Sequence, residues 1–185
     1  GVAVLAAVAA GTGTWAARWT SIGKGDAVAL RPAAGVTAKT AKYREAGAYS
    51  VRVPAGWQAE RRGSVMQWKD VHTGRGLRIA PAPGDPLAGL RAEERAVVAE
   101  NRYPGYHRLR LEAVPEVIEG AAEWEFTWRN GGVQDPGRGP RARHVLCGRA
   151  AGYEFCFYAP DRQWTPGQRL YDKILRSFRP EKPGG

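Results

Sequence analysis

The run AAEWEFTWRN, Ala121 to Asn130, constrains the fold more than any other stretch of the chain. Read with period two, it sets Ala122, Trp124, Phe126 and Trp128 on one side and Glu123, Glu125, Thr127 and Arg129 on the other. Strict alternation of this kind is a strand signal. Three rings on one strand face are either a stacking platform for a ligand or one wall of a core. A nucleic-acid platform needs exposed aromatics on two adjacent strands in an R-G-F-G-F-V-type context, and that context is absent. Glu123 and Glu125 also deny the strand a basic stripe. Core packing of Trp124 and Phe126 is therefore expected, with Trp128, beside a glycine-rich loop, partly exposed.

The rest of the chain supplies partners for such a strand. YSVRV (Tyr49 to Val53) alternates and stops at Pro54-Ala55-Gly56, with Trp57 after the turn. VMQWK and GLRIA flank His72-Thr73-Gly74, a hairpin signal. Asp85-Pro86 offers an N-cap followed by proline at the first helical position. It opens a helix with Leu87, Leu90, Val97 and Val98 on one stripe, ended by Pro104-Gly105. HRLRLEAV, RARHVLC and YEFCFY read as further strands. Thr165-Pro166-Gly167-Gln168 has the form of a capping box, opening a helix with Leu170, Tyr171, Ile174 and Phe178 inward. Strands joined by short turns pair antiparallel, and two amphipathic helices need a surface to cover. The fold class is α+β: a twisted antiparallel sheet of about six or seven strands with helices on its faces.

Charge bears on partners. The formal net charge is +10, carried by 28 Lys and Arg against 18 Asp and Glu. Such a surface attracts anions in general, without choosing among nucleic acid, lipid head groups and acidic wall polymers. At the other end of the polarity scale, GVAVLAAVAAGTGTWAA carries no charge before Arg18. With Trp15, Arg18 and Trp19 as an interfacial flank, residues 1–19 are expected to be the end of a transmembrane helix. The h-region of a signal peptide and a buried soluble helix are the other readings. Residues 20–42 read as a flexible linker, 43–180 as the α+β domain and 181–185 as a loose tail. The chain starts at Gly1 and is expected to be part of a longer protein, with residues 20–185 across the membrane from the cytoplasm.

Motifs that carry chemistry are absent. There is no P-loop, H-E-x-x-H, EF-hand loop or G-x-S-x-G, and V-A-I-K, H-R-D and D-F-G are missing too. No catalytic residue and no cofactor are expected. His72, His107 and His144 are isolated in sequence, so no metal site is expected either. Glu93 and Glu94, beside Arg91 and Arg95, read as a solvated charged face. Cys147 and Cys156 flank GRAAGYEF and would face each other across a hairpin. If they fall in register, a cross-strand disulfide is geometrically open to them; packed thiols and, last, a catalytic thiol are the alternatives. The loop Arg129 to Arg143 is rich in glycine and arginine. Arg138, Arg141 and Arg143 are the candidates there for an anionic ligand, with solvated loop side chains as the plain alternative. Trp57, Trp68 and Trp128 are the aromatic candidates for a ligand cleft between sheet and helix.

Several of these stretches together resemble a known family. Tyr49, Val51, Val53, Pro54, Gly56 and Trp57 match a G-F-x-V-x-V-P-x-G-W start, and Ala122, Trp124, Glu125, Phe126 and Thr127 match an A-x-W-E-F-T-Y strand. Ser177, Phe178, Arg179 and Pro180 match a closing S-F-R-P. The sequence resembles the extracytoplasmic C-terminal domain of Streptomyces-type membrane-anchored serine/threonine protein kinases, and related anchored actinobacterial proteins with PsbP-like folds. The resemblance implies an α/β/α sandwich. It also implies a non-catalytic sensor on a single-span cell-membrane protein, binding an extracytoplasmic ligand, a cell-wall component or a partner protein. The alternative is a stand-alone anchored or secreted carrier holding a lipid-like or cell-wall ligand in a sheet-helix cleft. Nucleic acid, suggested by charge alone, is not expected as a partner.

Overall fold

The structure, a computed structural model, describes residues 39–115, 120–130 and 141–181, with the backbone alone at 130 and 141. The expected membrane segment, most of the expected linker and residues 182–185 of the tail lie outside the described residues.

In chain order the elements are β1 (Thr40–Glu45), β2 (Tyr49–Pro54), β3 (Gln58–Arg62), β4 (Val65–Asp70) and β5 (Arg75–Pro81), then helix α1 (Pro86–Ala99). There follow β6 (His107–Ala113), β7 (Ala122–Asn130), β8 (Arg141–Ala150) and β9 (Tyr153–Pro160), a 3-10 turn (Asp161–Gln163), helix α2 (Trp164–Ser177) and β10 (Arg179–Pro180). Seven strands form one antiparallel sheet in the order β3-β4-β5-β9-β8-β7-β6, and β1-β2-β10 form a second, smaller one. After β5 the chain does not turn back beside itself. It crosses the sheet as α1, enters the far edge as β6, and returns by the meander β7-β8-β9 to pair with β5. That crossing lays α1 over one face. α2 and the small sheet cover the other, which gives the expected α+β sandwich.

Residue parity assigns each strand's side chains to one face or the other. Met66, Trp68, Leu77, Ile79, Leu146, Phe155 and Phe157 pack with Tyr49, Val51 and Val53 of β2 and Tyr171, Ile174 and Leu175 of α2. Ala122, Trp124, Phe126, Val145, Cys147 and Cys156 pack with Leu90 and Val97 of α1. Trp124 and Phe126 are each 1% exposed, while Trp128 is half-buried. The β8–β9 hairpin turns through Ala151 (φ 52°) and Gly152 (φ 78°). Two consecutive positive φ angles suit a two-residue hairpin turn and set Cys147 opposite Cys156.

The elements depart from the sequence reading at definite places. β1 takes in residues 40–42, the end of the expected linker, and β3 (QAERR) pairs with β4 although it has no apolar alternation. Asp85 caps α1, its Oδ1 accepting from Ala88 N at 2.6 Å. Val98, however, is 54% exposed: it lies one residue, about 100° of helix rotation, beyond the buried Val97. The capping box at Thr165 does not form. The 3-10 turn hands over to α2 at Trp164, with Gln163 as the N-cap residue and no side-chain cap, so Thr165 is already inside the helix.

The S-F-R-P segment is a clasp. Ser177 Oγ accepts from Arg52 N at 2.7 Å and donates to Ile174 O at 2.6 Å, while Phe178 inserts among Tyr49, Tyr153 and Phe155. This ties the end of α2 to β2. Ser177→Ala removes the acceptor of a strand N–H and should lower unfolding free energy by about 1 kcal/mol, read as a lower urea midpoint at unchanged m-value. An unchanged midpoint would mean the clasp rests on Phe178 alone.

Candidate functional site

β7 faces α1 with its apolar side, but α1 spans only part of the sheet. Beyond the helix, the segment carrying Arg102 and Tyr103 leans over the strands and leaves a cleft of about 460 Å³. Its floor is the outer face of β5, β9, β8 and β7: Arg78, Tyr158, Cys156, Cys147, Val145, Phe126 and Trp128. Gln67 closes it from β4, and Glu93 and Tyr103 from the α1 side. The Tyr103 ring sits 5.2 Å from Phe126 and 5.2 Å from Trp128, centroid to centroid. Phe126 in turn stacks on Trp124 at 4.4 Å. Offset and tilted arrangements of this kind suit aromatic quadrupoles. The Tyr106 hydroxyl accepts from Trp124 Nε1 at 3.0 Å and donates to Glu94 at 2.5 Å, which fixes the inner end of the row.

Arginines and carboxylates fasten the helix to the floor. Glu93 of α1 meets Arg149 of β8 at 2.8 Å and Arg78 of β5 at 3.8 Å. Both arginines also hold the buried Glu154 of β9, Arg149 at 2.6 Å. Burial, and then the nearby Glu154 carboxylate, hold the Glu93 carboxyl above its ordinary range despite the two guanidinium groups. Glu93 is thus part of an interlocked four-charge cluster, not the solvated face expected from sequence. Cys147 and Cys156 form a disulfide across β8 and β9, with their Cα atoms 4.1 Å apart. It lies in the cleft floor, and Arg78 Nη2 approaches Cys156 Sγ at 3.8 Å.

The structure distributes the sequence candidates unevenly. Trp128 and Arg143 line the cleft. Trp68 does not. It is 2% exposed, in the core beneath α2, because its β4 neighbour Gln67 takes the cleft-facing parity. Trp57 packs against that same opposite core. Arg138 and the Arg141 side chain lie outside the described residues. Among the described residues no group of three or more His, Cys, Asp or Glu could hold a metal ion, and no helix is long and apolar enough to cross a membrane.

Sequence reasoning missed a second polar cluster, beneath the α2 side of the sheet. Glu123 (0% exposed) and Glu125 receive Arg110 at 2.6 and 3.1 Å. His144 Nε2 meets Glu125 at 2.8 Å, and His144 Nδ1 meets Asp161 at 3.2 Å. Trp164 stacks flat on the His144 ring at 3.7 Å. A bulge between Arg108 and Arg110 shifts the β6 register and brings Arg110 opposite Glu125. Alternation alone placed the acids on this face, but nothing local announced that Arg110 would reach them.

Comparison with known proteins adds the family. A family model described as serine/threonine kinase C-terminal domain matches residues 41–180. No curated protein matches the chain significantly. Among solved structures, the chain is similar to cyanobacterial PsbP from Synechocystis, at 17% identity over 82% of this chain and 99% of that one, with TM-score 0.48. It is similar to a point mutant of Mog1, at 10% identity over 76% of this chain and 95% of that one, with TM-score 0.49. A Pseudomonas aeruginosa protein of unknown function, a putative regulator, is similar at 14% identity over 77% of this chain and 98% of that one, with TM-score 0.44.

Two outcomes test the energetics of the site. Reducing the disulfide, or replacing both cysteines by alanine, should cost about 2–3 kcal/mol for a loop this short, checked by denaturation with and without reductant. The raised Glu93 carboxyl means that the native state holds its proton more tightly than the unfolded chain does. Its contribution is therefore fully present below the ordinary carboxylate pKa of about 4.3 and is lost as pH rises through the raised value. Glu93→Gln cannot ionise, so its stability profile should be flatter over that window. A profile parallel to the wild type would contradict the assignment.

Proposed function

The chain belongs to the family of serine/threonine kinase C-terminal domains, and from that premise we propose that it is the extracytoplasmic, ligand-sensing domain of a single-span membrane kinase. The family fits a non-catalytic accessory domain, and none of the nucleophile, metal or phosphate motifs sought in the sequence is present. The observation that carries the sensing role is the cleft beneath α1, with its aromatic row and disulfide floor. Concave, largely apolar cavities with a few polar groups are where small ligands bind. A ligand there touches both α1 and the strands on which α1 is pinned. Occupancy therefore biases how the helix sits, which is the differential contact a signal requires.

The same cleft supports a second reading, a carrier that holds a lipid-like or cell-wall molecule without signalling. The two separate in the intact protein. A cell-wall or lipid extract that binds should protect the amides of α1 and Tyr103 from hydrogen exchange, and Trp128→Ala should abolish the protection. A change in autophosphorylation on the same addition supports the sensor; binding with no change supports the carrier. Protection confined to the α2 face would reject the cleft for both. Protease added outside intact cells should cut this domain, and cleavage only after lysis would overturn the extracytoplasmic placement.

A further inference from the structure

The charges around the cleft are not equivalent. Arg78 is held by Glu154 and Glu93, and Arg102 by Glu100. Arg143 has no carboxylate partner among the described residues. Its Nη1 donates to Gly74 O at 2.6 Å, which anchors the guanidinium to the β4–β5 turn through one donor of five and leaves a planar fork to spare. Gly74 itself has φ +73°, and an added Cβ there would meet Arg143 Nη1 at 3.1 Å, so the turn is shaped to seat this side chain.

Tyr158 is its neighbour. β8 and β9 pair Val145 with Tyr158 and Arg143 with Pro160, so Arg143 and Tyr158 are diagonal on the same sheet face. The ring lies over Gly76, where a Cβ would stand 2.2 Å from the hydroxyl oxygen. The absent side chain at 76 is what admits the ring. Burial raises the Tyr158 phenol and the Arg143 charge works against that rise, so the hydroxyl stays protonated at neutral pH and able to donate. One wall of the cleft thus offers a guanidinium and a hydroxyl. The other offers the Tyr103, Phe126 and Trp128 rings, and the lining as a whole has three arginines to one glutamate.

We propose that the cleft binds a small molecule with an anionic head group on a flat apolar body, the head group meeting Arg143 and the Tyr158 hydroxyl and the body lying against Tyr103 and Trp128. This rests on the reading of the cleft as the ligand site. A charge with no counter-ion among the described residues, in a partly desolvated wall, is costly, and a carboxylate or phosphate oxygen pair answers the guanidinium fork in geometry and sign. A cationic or neutral ligand would leave that fork unanswered.

Two fluorescent probes of matched ring system test this on the whole chain: 8-anilinonaphthalene-1-sulfonate, and the uncharged N-phenyl-1-naphthylamine. The sulfonate should bind at least about tenfold tighter than the amine. Arg143→Ala, and Arg143→Gln as a second variant that keeps the stem, should erase that difference without weakening the amine. Trp128→Ala should weaken both. 1-Naphthoate and 1-naphthyl phosphate should displace the sulfonate, and the stronger of the two identifies the head group; displacement by neither overturns the proposal. Equal binding of both probes, indifferent to Arg143, also overturns the anionic head group while the cleft stands as a binding site. Binding of neither probe, or binding indifferent to Trp128, overturns the cleft reading itself.

Discussion

The position of α1 across the sheet is the constraint on which most of this domain depends. The chain leaves β5 in the middle of the seven-stranded sheet and must reach the far edge before β6, β7, β8 and β9 can fill the gap. Every pairing among those four strands comes after that crossing. Leu90 and Val97 give the helix only a narrow apolar stripe, so packing alone anchors it at few points. The Glu93, Arg149, Arg78 and Glu154 cluster supplies direction as well as attachment, since it joins one helix to three different strands. A partly buried cluster of this kind adds little net stability over well-packed apolar groups, but removing one member strands the others. Its value here lies in fixing where the helix crosses.

That placement creates the cleft. A helix of 14 residues covers part of the face and stops at Ala99, and the turn behind it folds Tyr103 down between Phe126 and Trp128. Strand face remains uncovered beside it, rimmed by Arg78, Arg102 and Arg143. The disulfide in the floor adds a covalent link between β8 and β9 to their backbone pairing and the Arg149–Glu154 ion pair. The cleft is therefore a by-product of the crossing, with the disulfide in its floor and Glu93 and Tyr103 on the helix side.

The opposite face solves a different problem. β7 is buried on both sides, so Glu123 and Glu125 are largely out of contact with bulk water. They are met by Arg110 and His144, with Trp164 as the lid. Burying carboxylates is tolerable only when each is hydrogen-bonded, and the β6 bulge is what delivers the arginine. On this side α2 packs Tyr171, Ile174 and Leu175 onto the core strands.

Local pattern alone determined a good deal. Alternation in YSVRV, VMQWK, EWEFTW and YEFCFY set the strands and their facing, and Asp85-Pro86 set the start of α1. The spacing of the cysteines around a short turn left a bridge open to them. The motifs of the family were also legible, because Val51, Trp124 and Phe178 are core residues whose identity is dictated by what they pack against. Where pattern was weak, reading failed: β3 holds its place by pairing, not by apolar alternation, and Trp164 starts α2 because a 3-10 turn precedes it. The site needed tertiary information. Trp68, Trp57 and Trp128 are equivalent as letters, yet the first two pack on the α2 side of the sheet and α1 covers the other face only in part, so of the three Trp128 alone lines the cleft. Likewise Arg143 differs from Arg78 and Arg102 through its partners, and partners are chosen by the crossing of α1 and the order of the strands. Sequence fixes which residues alternate; the path of the chain decides which side of that alternation is left uncovered as a cleft.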